Sequence, residues 1–225
     1  MINTQKKGDI NHTLEKRSSI ATNKVLKNTY MLLAMTLAFS ALVAAAVVTL
    51  NLPSPGFIIT LVGVYGLMYL TEKNRNNSMG ILFVFMFTGF LGYTVGPLIN
   101  RYLGAGMGDI VVMAFAGTAF TFFALSAYVL TTKKDMSFLN GMMMAGFVVL
   151  LIAMVGNFFL QIPALSLAIS AMFILFSSAA ILMQTSSIIH GGETSYISAT
   201  VTIFLSLYNI FVSLLQILGI MGSDD

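Results

Sequence analysis

Long apolar segments joined by short polar connections make up most of the chain after residue 28. A transmembrane helix needs about 20 consecutive, mostly apolar residues. Six of the segments reach this length, whereas the second has 14 residues, or 19 if the preceding Leu-Pro-Ser-Pro-Gly turn is counted with it. The pattern predicts an all-α membrane protein with seven transmembrane helices at 29–50, 57–70, 79–99, 110–130, 141–160, 165–189 and 194–221.

One face of the last segment is polar although the rest of it is apolar. Its polar side chains recur at steps of three and four residues, which places them within an arc of about 80° on a helix. We call them the long polar stripe: Ser198, Thr202, Ser206, Asn209, Ser213 and Gln216. Because lipid cannot satisfy hydroxyls and amides, the stripe is expected to face protein or water. It indicates bonding to neighbouring helices or, as the less common alternative, a functional lining within the bundle.

The sixth segment carries a second polar face. We call it the short polar stripe, and its members are Ser166, Ser170, Ser177 and Gln184. They fall within about 40° of each other on a helix. The turn 190–194 is short, so the sixth and seventh helices are expected to be antiparallel neighbours. The two stripes are therefore predicted to face each other.

Small residues mark two further helix surfaces. In the first segment they recur every three or four positions, at Ala34, Ala38, Ala41 and Ala45. In the third segment Gly92 and Gly96 form a Gly-xxx-Gly pair. Small side chains let helix backbones approach closely in membranes, so the alanine stripe suits close helix packing.

The distribution of basic residues predicts the orientation. Ten of the eleven Lys and Arg residues lie in the tail 1–28 and in the connections 71–78 and 131–140, and only Arg101 lies on the other side. Basic connections stay in the cytoplasm. We therefore predict a loosely structured, polar cytosolic tail (1–28), a transmembrane domain (29–221) and a short external C-terminus (222–225). An even number of crossings must separate the tail from 71–78, which favours a full crossing by 57–70.

The residue content argues against an enzyme and against bound cofactors. The chain has no Cys, both histidines lie outside the apolar segments, and no helix or loop pattern of a metal or phosphate site occurs. Gly106 to Asp109 matches the Gly-x-Gly-Asp motif of intramembrane aspartyl proteases, but no segment holds the second aspartate that this chemistry needs. Asp109 is instead expected to be the N-cap of the fourth helix. The net charge of +3 follows from the topology and does not indicate nucleic acid.

The sequence resembles the Bax inhibitor-1 (TMBIM) family. The resemblance rests on GFLGYTVGPL at 89–98, AFAGTA at 114–119 and YNIF at 208–211, together with the seven segments. It covers nearly the whole chain after about residue 24. The fold that it implies is a bundle in which helix seven is central and surrounded by the other six. Further segments, such as IIHGGETSYI at 188–197, are similar to a bacterial branch of the family.

That branch implies a function in the bacterial inner membrane. Its members are substrates and modulators of the membrane-bound ATP-dependent protease FtsH, so the resemblance implies a multi-pass regulatory protein with an FtsH-like partner in the lipid bilayer. The N-terminus would be cytoplasmic and the C-terminus periplasmic. The tail is long enough to be engaged by a cytosolic ATPase. The alternative is a calcium leak channel of the Bax inhibitor-1 type, and only this alternative would involve Ca²⁺.

The family's pH-sensitive latch is altered in this sequence. Some members hold one aspartate on helix six and one on helix seven, and the matching positions here are Gln184 and Ser206. Neither side chain titrates near neutral pH. Gated calcium conduction is therefore not expected, since Ca²⁺ favours carboxylate and carbonyl oxygens. The remaining candidates for a pore lining are Ser177, Thr202, Asn209 and Ser213, and the titratable groups nearest to the latch are His190 and Glu193 at the cytosolic turn.

Overall fold

The computed structural model describes the backbone of residues 2–222 and the side chains of residues 20–222. This part of the chain forms seven α-helices, which confirms the all-helical prediction. Their bounds are α1 Ile2–Thr49, α2 Phe57–Lys73, α3 Ser78–Gly104, α4 Gly108–Thr132, α5 Leu139–Leu160, α6 Pro163–Ile189 and α7 Tyr196–Met221. Six of them are long and apolar enough to cross a membrane.

The exception is α2, the segment whose span was uncertain from the sequence. It has 17 residues, which corresponds to a length of about 26 Å, whereas a hydrocarbon core is about 30 Å thick. It nevertheless presents large apolar side chains outwards, among them Phe57, Ile58 and Tyr69. The structure therefore gives seven helices with six candidate membrane spans.

The first helix is longer than predicted. A loosely structured tail up to residue 28 was expected, but α1 continues without a break from Ile2 to Thr49. The reason is the lack of helix breakers, because no proline precedes Pro53 and Gly8 is the only glycine before Gly56. The membrane-length apolar part of this helix begins at Ile20. Of the predicted C-terminal segment 222–225, only Gly222 lies within the described residues.

The last helix occupies the interior of the bundle. Thirteen of the 26 residues of α7 are buried, and the helix packs against α1, α2, α3, α4 and α6. The expectation that all six other helices surround it is wrong for α5, which packs only against α6 among the described residues. Because α5 is apolar on nearly every side and buries only Leu139 and Leu150, it suits a peripheral place in contact with lipid.

The Gly-xxx-Gly pair of α3 brings this helix close to α1. A Cβ atom added at Gly92 would collide with the backbone carbonyl of Ser40, and one added at Gly96 would collide with Val47. The surface of α1 that takes part is a buried row of residues: Leu33, Thr36, Ser40, Ala44 and Val47.

The alanine stripe of α1 does not pack as predicted. Ala34, Ala38, Ala41 and Ala45 are all exposed and lie beside the buried row rather than within it. A small apolar side chain suits both a tight helix contact and a lipid-facing surface, so its spacing alone does not distinguish the two. The contacts of Gly92 and Gly96 decide which face of α1 is buried.

The third helix also continues past its predicted end. It includes Pro97 and stops at Gly104 instead of Ile99. A proline inside a membrane helix is tolerated when neighbouring groups compensate for the lost hydrogen bond. Polar contacts tie this part of α3 to the α1–α2 connection, because Tyr93 donates to the Pro53 carbonyl and Asn100 donates to Asn51. Asp109 lies in the first turn of α4, not at its N-cap, which is Met107.

One end of the bundle gathers three connections and carries most of the basic residues. There the hydroxyl of Ser198 at the start of α7 donates to the Glu72 carboxylate at the end of α2. At the same end, the hydroxyl of Ser186 near the end of α6 donates to the carbonyl of Lys134, which follows α4. We call this end the basic end, since Lys73, Arg75, Lys133 and Lys134 lie there.

Candidate functional site

A polar cavity of about 460 Å³ enters the bundle at the basic end. It lies between the α4–α5 connection, the last turns of α6 and the first turns of α7, and we call it the vestibule. Its polar lining includes Asp135, Asn140, Gln184, Ser187, His190 and Thr202. It therefore connects the surface of the basic end to two of the positions that the sequence singled out, Gln184 and Thr202.

The outer wall of the vestibule is fixed by Ser186. Its hydroxyl donates to the Lys134 carbonyl at 3.3 Å and accepts from the Met136 backbone N–H at 3.0 Å. Both partners belong to the α4–α5 connection, so one buried side chain on α6 holds that connection in place. A buried hydroxyl that is satisfied in both roles stabilises such a connection by about 1 kcal/mol for each hydrogen bond.

Two titratable side chains stand at the rim. The backbone N–H of Ser137 donates to the Asp135 carboxylate at 2.9 Å, and this bond and the nearby His190 lower the pKa of Asp135. The carboxylate therefore remains ionised down to a pH below its usual range. The ring Nδ1 of His190 lies 2.9 Å from the Ser186 carbonyl oxygen, to which it donates when it carries a proton.

Of the two titratable groups predicted near the latch, only His190 lines the vestibule. Glu193 caps its own turn, because its carboxylate accepts the backbone N–H of Ser195 at 2.7 Å. The structure thus places Asp135, which was not proposed from the sequence, where Glu193 was expected.

The latch positions differ in their surroundings. Gln184 and Thr202 face the same cavity, whereas Ser206 lies one turn deeper on α7 and donates its hydroxyl to the Thr202 carbonyl at 2.8 Å. The side-chain nitrogen of Gln184 is buried and has no hydrogen-bond partner among the described residues. An unsatisfied buried donor costs about 1–3 kcal/mol, so a polar group that reached Gln184 would bind favourably.

The side chains at these positions do not form a carboxylate site. Gln184, Thr202 and Ser206 are neutral, and no three His, Asp or Glu side chains cluster anywhere in residues 20–222. Ca²⁺ binds six to eight oxygen ligands, with carboxylates as the strongest of them. The vestibule is therefore a neutral polar cavity with one carboxylate and one imidazole at its rim.

The two ends of the long polar stripe bond to other helices, as one of the two interpretations predicted. Ser198 donates to Glu72 of α2 at 2.6 Å. At the far end, the Gln216 side-chain oxygen accepts from Ser170 of α6 at 2.7 Å, so the two polar stripes do meet.

The middle of the long polar stripe lies away from the vestibule. Ser213 is buried and Asn209 is half-buried, but neither lines the vestibule. Ser177 of the short stripe is fully buried, and its hydroxyl has no partner among the described residues. Of the proposed pore-lining residues, the structure therefore brings only Gln184 and Thr202 to one cavity.

Sequence reasoning did not identify Glu72. Its carboxylate forms an ion pair with Arg75 at 2.7 Å and also accepts from Ser198, so it joins α2 to the start of α7. The Ser195 hydroxyl adds a bond to the Arg75 carbonyl at 3.1 Å. The available signal was weak: Glu72 is an acid at the end of an apolar segment, three residues before an arginine.

Comparison with known proteins agrees with the motifs. The family profile described as "Inhibitor of apoptosis-promoting Bax1" matches residues 22–223. The chain is 65% identical over 210 residues to "Modulator of FtsH protease YccA" of Escherichia coli K12, which is 93% of this chain and 96% of that protein. The same identity relates it to "Inner membrane protein YccA" of Escherichia coli O6:H1. An uncharacterized protein of Pseudomonas aeruginosa is 58% identical over 202 residues, covering 89% of this chain and 91% of that protein. The chain therefore belongs to the Bax inhibitor-1 family, as its motifs predicted.

Proposed function

We propose that this protein is a multi-pass regulator of the bacterial inner membrane that modulates a membrane-bound ATP-dependent protease of the FtsH type and is also its substrate. The observation that carries the proposal is the 65% identity, over nearly the full length of both chains, to a protein named as a modulator of FtsH. The match extends over all seven helices, so it is not confined to a shared segment.

The architecture supports engagement of the chain by a protease from one side of the membrane. Among the described residues, the connections between helices are short, and the longest polar stretch precedes Ile20 in α1. An ATP-dependent protease needs a segment outside the bilayer before it can pull on a helical bundle. The tail 1–28, with its six basic residues, is the segment that provides it.

We further propose that α2 completes a seventh crossing, with the N-terminus in the cytoplasm and residues 222–225 in the periplasm. Two of the three connections at the basic end support this arrangement, because they carry Arg75 or Lys133 and Lys134 and basic connections stay on the cytoplasmic side. Under this topology the vestibule opens to the cytoplasm. The short polar stripe then has Gln184 at its cytoplasmic end and Ser166 at its periplasmic end.

The topology gives the first prediction. A reporter enzyme that is active only in the periplasm should be active when fused after Asp225 and inactive when fused before Met1. A fusion within the connection 133–138 should also be inactive and serves as the internal control, since this connection lies at the basic end. Activity of the N-terminal fusion, or inactivity of the C-terminal one in a stable product, would contradict the orientation or the seventh crossing.

The tail gives the second prediction. Removing residues 2–19 should lengthen the cellular half-life of the protein several-fold, because it shortens the segment available to the protease while the apolar part of α1 from Ile20 stays intact. The half-life is measured after blocking synthesis. As a control, the same deletion should have no effect in a strain whose protease has lost its ATPase activity. An unchanged half-life in the strain with active protease would reject the tail as the handle.

The third prediction tests the modulator role directly. An FtsH-type protease should co-purify with the protein from native membranes. In a separate assay, the purified protease should degrade another membrane substrate more slowly when the protein is added. The physical reason is competition between substrates. While the protease is engaged on a bundle that it extracts slowly, it cannot degrade the other substrate. A helical membrane protein of equal size and without a polar tail is the control. Equal rates with both proteins would reject modulation by direct binding.

A further inference from the structure

An apolar fissure runs along the outside of the bundle between α1 and α4. The backbones of these two helices do not approach each other closely within the described residues, although their side chains meet at Tyr30 and Phe122, and the fissure has a volume of about 410 Å³. One wall is formed by Ala34 and Ala41 of α1 and the other by Phe115 and Ala119 of α4, while Phe204 of α7 lies at its floor. Two of the four residues of the exposed alanine stripe of α1 therefore line this fissure.

The fissure opens toward the surroundings of the bundle. Phe115 at the rim is 53% exposed, whereas Phe204 at the floor is 3% exposed. The helices that form the walls are long and apolar enough to be membrane spans, so the opening faces lipid and not water. Acyl chains of the bilayer consequently have direct access to the central helix α7.

The size of the fissure distinguishes between two kinds of apolar occupant. One turn of an α-helix, with a diameter of about 10 Å and a pitch of 5.4 Å, fills a cylinder of roughly 420 Å³. A crossing helix needs about 20 residues, or more than five such turns. A fissure of about 410 Å³ could therefore take only some side chains of a transmembrane helix, whereas a thin, flexible hydrocarbon chain fits within it.

The basic end of the fissure has the polar groups that a lipid head group would meet. Tyr30 lines the fissure and packs against Phe122, with ring centroids 5.8 Å apart, yet its hydroxyl is buried and has no hydrogen-bond partner among the described residues. Lys27 is exposed and lies one turn before Tyr30 on the same side of α1. No acidic side chain in the described part of the chain forms an ion pair with Lys27.

We propose that the fissure binds one acyl chain of an anionic phospholipid, with the head group held at Lys27 and Tyr30. The apolar walls account for the chain, the unpaired phenol for a hydrogen bond to an ester or phosphate oxygen, and the lysine for the negative charge. A basic residue near the membrane surface attracts anionic lipid. The inference rests on the fissure alone and does not depend on the role in proteolysis.

The site is tested with the full chain in vesicles that contain a phosphatidylglycerol carrying a photoreactive group in one acyl chain. Cross-links mapped by mass spectrometry should concentrate on the fissure residues of α1, α4 and α7. Ala41→Phe should reduce the cross-links at Phe204 and its neighbours at least several-fold, because the added ring fills the fissure. Ala45→Phe is the matched control, since Ala45 lies one turn further on the same exposed stripe and does not line the fissure.

A second experiment tests the head group. It compares the cross-linking by phosphatidylglycerol with that by phosphatidylcholine carrying the same photoreactive chain. Lys27→Gln should reduce the preference for the anionic lipid several-fold, whereas Lys73→Gln, which changes an exposed basic residue on α2, should leave it unchanged.

If Ala41→Phe lowers the thermal stability, Ala119→Leu on the opposite wall of the fissure replaces it. Cross-links spread evenly over all lipid-facing helices, equal labelling by both lipids, or cross-links from the fissure to a second copy of the chain would overturn the proposal.

Discussion

Gly92→Ala is expected to lower the midpoint of thermal unfolding in detergent by roughly 2–12 °C. The added methyl group would meet the Ser40 backbone carbonyl, which belongs to a helix and cannot rotate away. α1 and α3 must therefore separate, and overpacking of this kind typically costs about 1–3 kcal/mol. For a chain of this length, each kcal/mol lowers the unfolding midpoint by about 2–4 °C. The midpoint is measured by heating samples to a series of temperatures. The loss of the protein's main peak is then followed by fluorescence-detected size-exclusion chromatography.

The matched control for this prediction is Gly156→Ala in α5. Both glycines lie inside membrane-length helices, but an added Cβ at Gly156 meets no atom within 4 Å. Alanine is the better helix former by about 1 kcal/mol, so this variant should unfold at the same temperature as the natural protein or slightly above it. Equal midpoints for the two variants would show that the close approach of α1 and α3 does not contribute to stability.

The comparison of Gly92 with the alanine stripe shows what the sequence could predict about packing. Helix number and helix order follow from apolar length, since a membrane helix must reach across the bilayer. The Gly-xxx-Gly pair marks a real contact because only glycine permits a backbone to approach so closely. Ala34 and Ala41 were assigned to the wrong environment, because alanine is compatible with both lipid and a helix contact. Only the partner helix resolves that ambiguity.

The polar residues show a similar division. The spacing of Ser170 and Gln216 was sufficient to predict that two polar faces would meet, because an antiparallel hairpin fixes their relative height. The contact of Glu72 with Ser198 could not be predicted, since the helices that carry them, α2 and α7, are 126 residues apart at that point. Asp135 was missed for the same reason: its place beside His190 depends on how a connection folds back over α6. Long-range contacts of single side chains leave no periodic signal.

The second prediction with a large expected effect concerns Ca²⁺ flux at the latch positions beside the vestibule. The structure places Gln184 in a cavity with Thr202, and Ser206 lies one turn deeper on the same helix as Thr202. Gln184 therefore lines the vestibule and Ser206 lies just beneath it, but neither side chain carries a charge. A neutral amide and a hydroxyl can keep their hydrogen bonds at every physiological pH. The natural protein should accordingly show no pH-dependent Ca²⁺ flux.

Replacing both residues, Gln184→Asp with Ser206→Asp, should create that dependence. The family resemblance implies that these two positions pair across α6 and α7. Two carboxylates paired in a low-dielectric bundle cannot both ionise cheaply, so the pair is expected to hold one proton over part of the neutral range and to lose it as the pH rises. Ca²⁺ flux into liposomes should then change several-fold between pH 6 and pH 8 for the double variant and stay near background for the natural protein. The neutral pair Gln184→Asn with Ser206→Asn controls for the change in shape. A steep pH response of the natural protein would contradict the inference, and His190 at the vestibule rim would then be the next group to replace, with Glu193 after it.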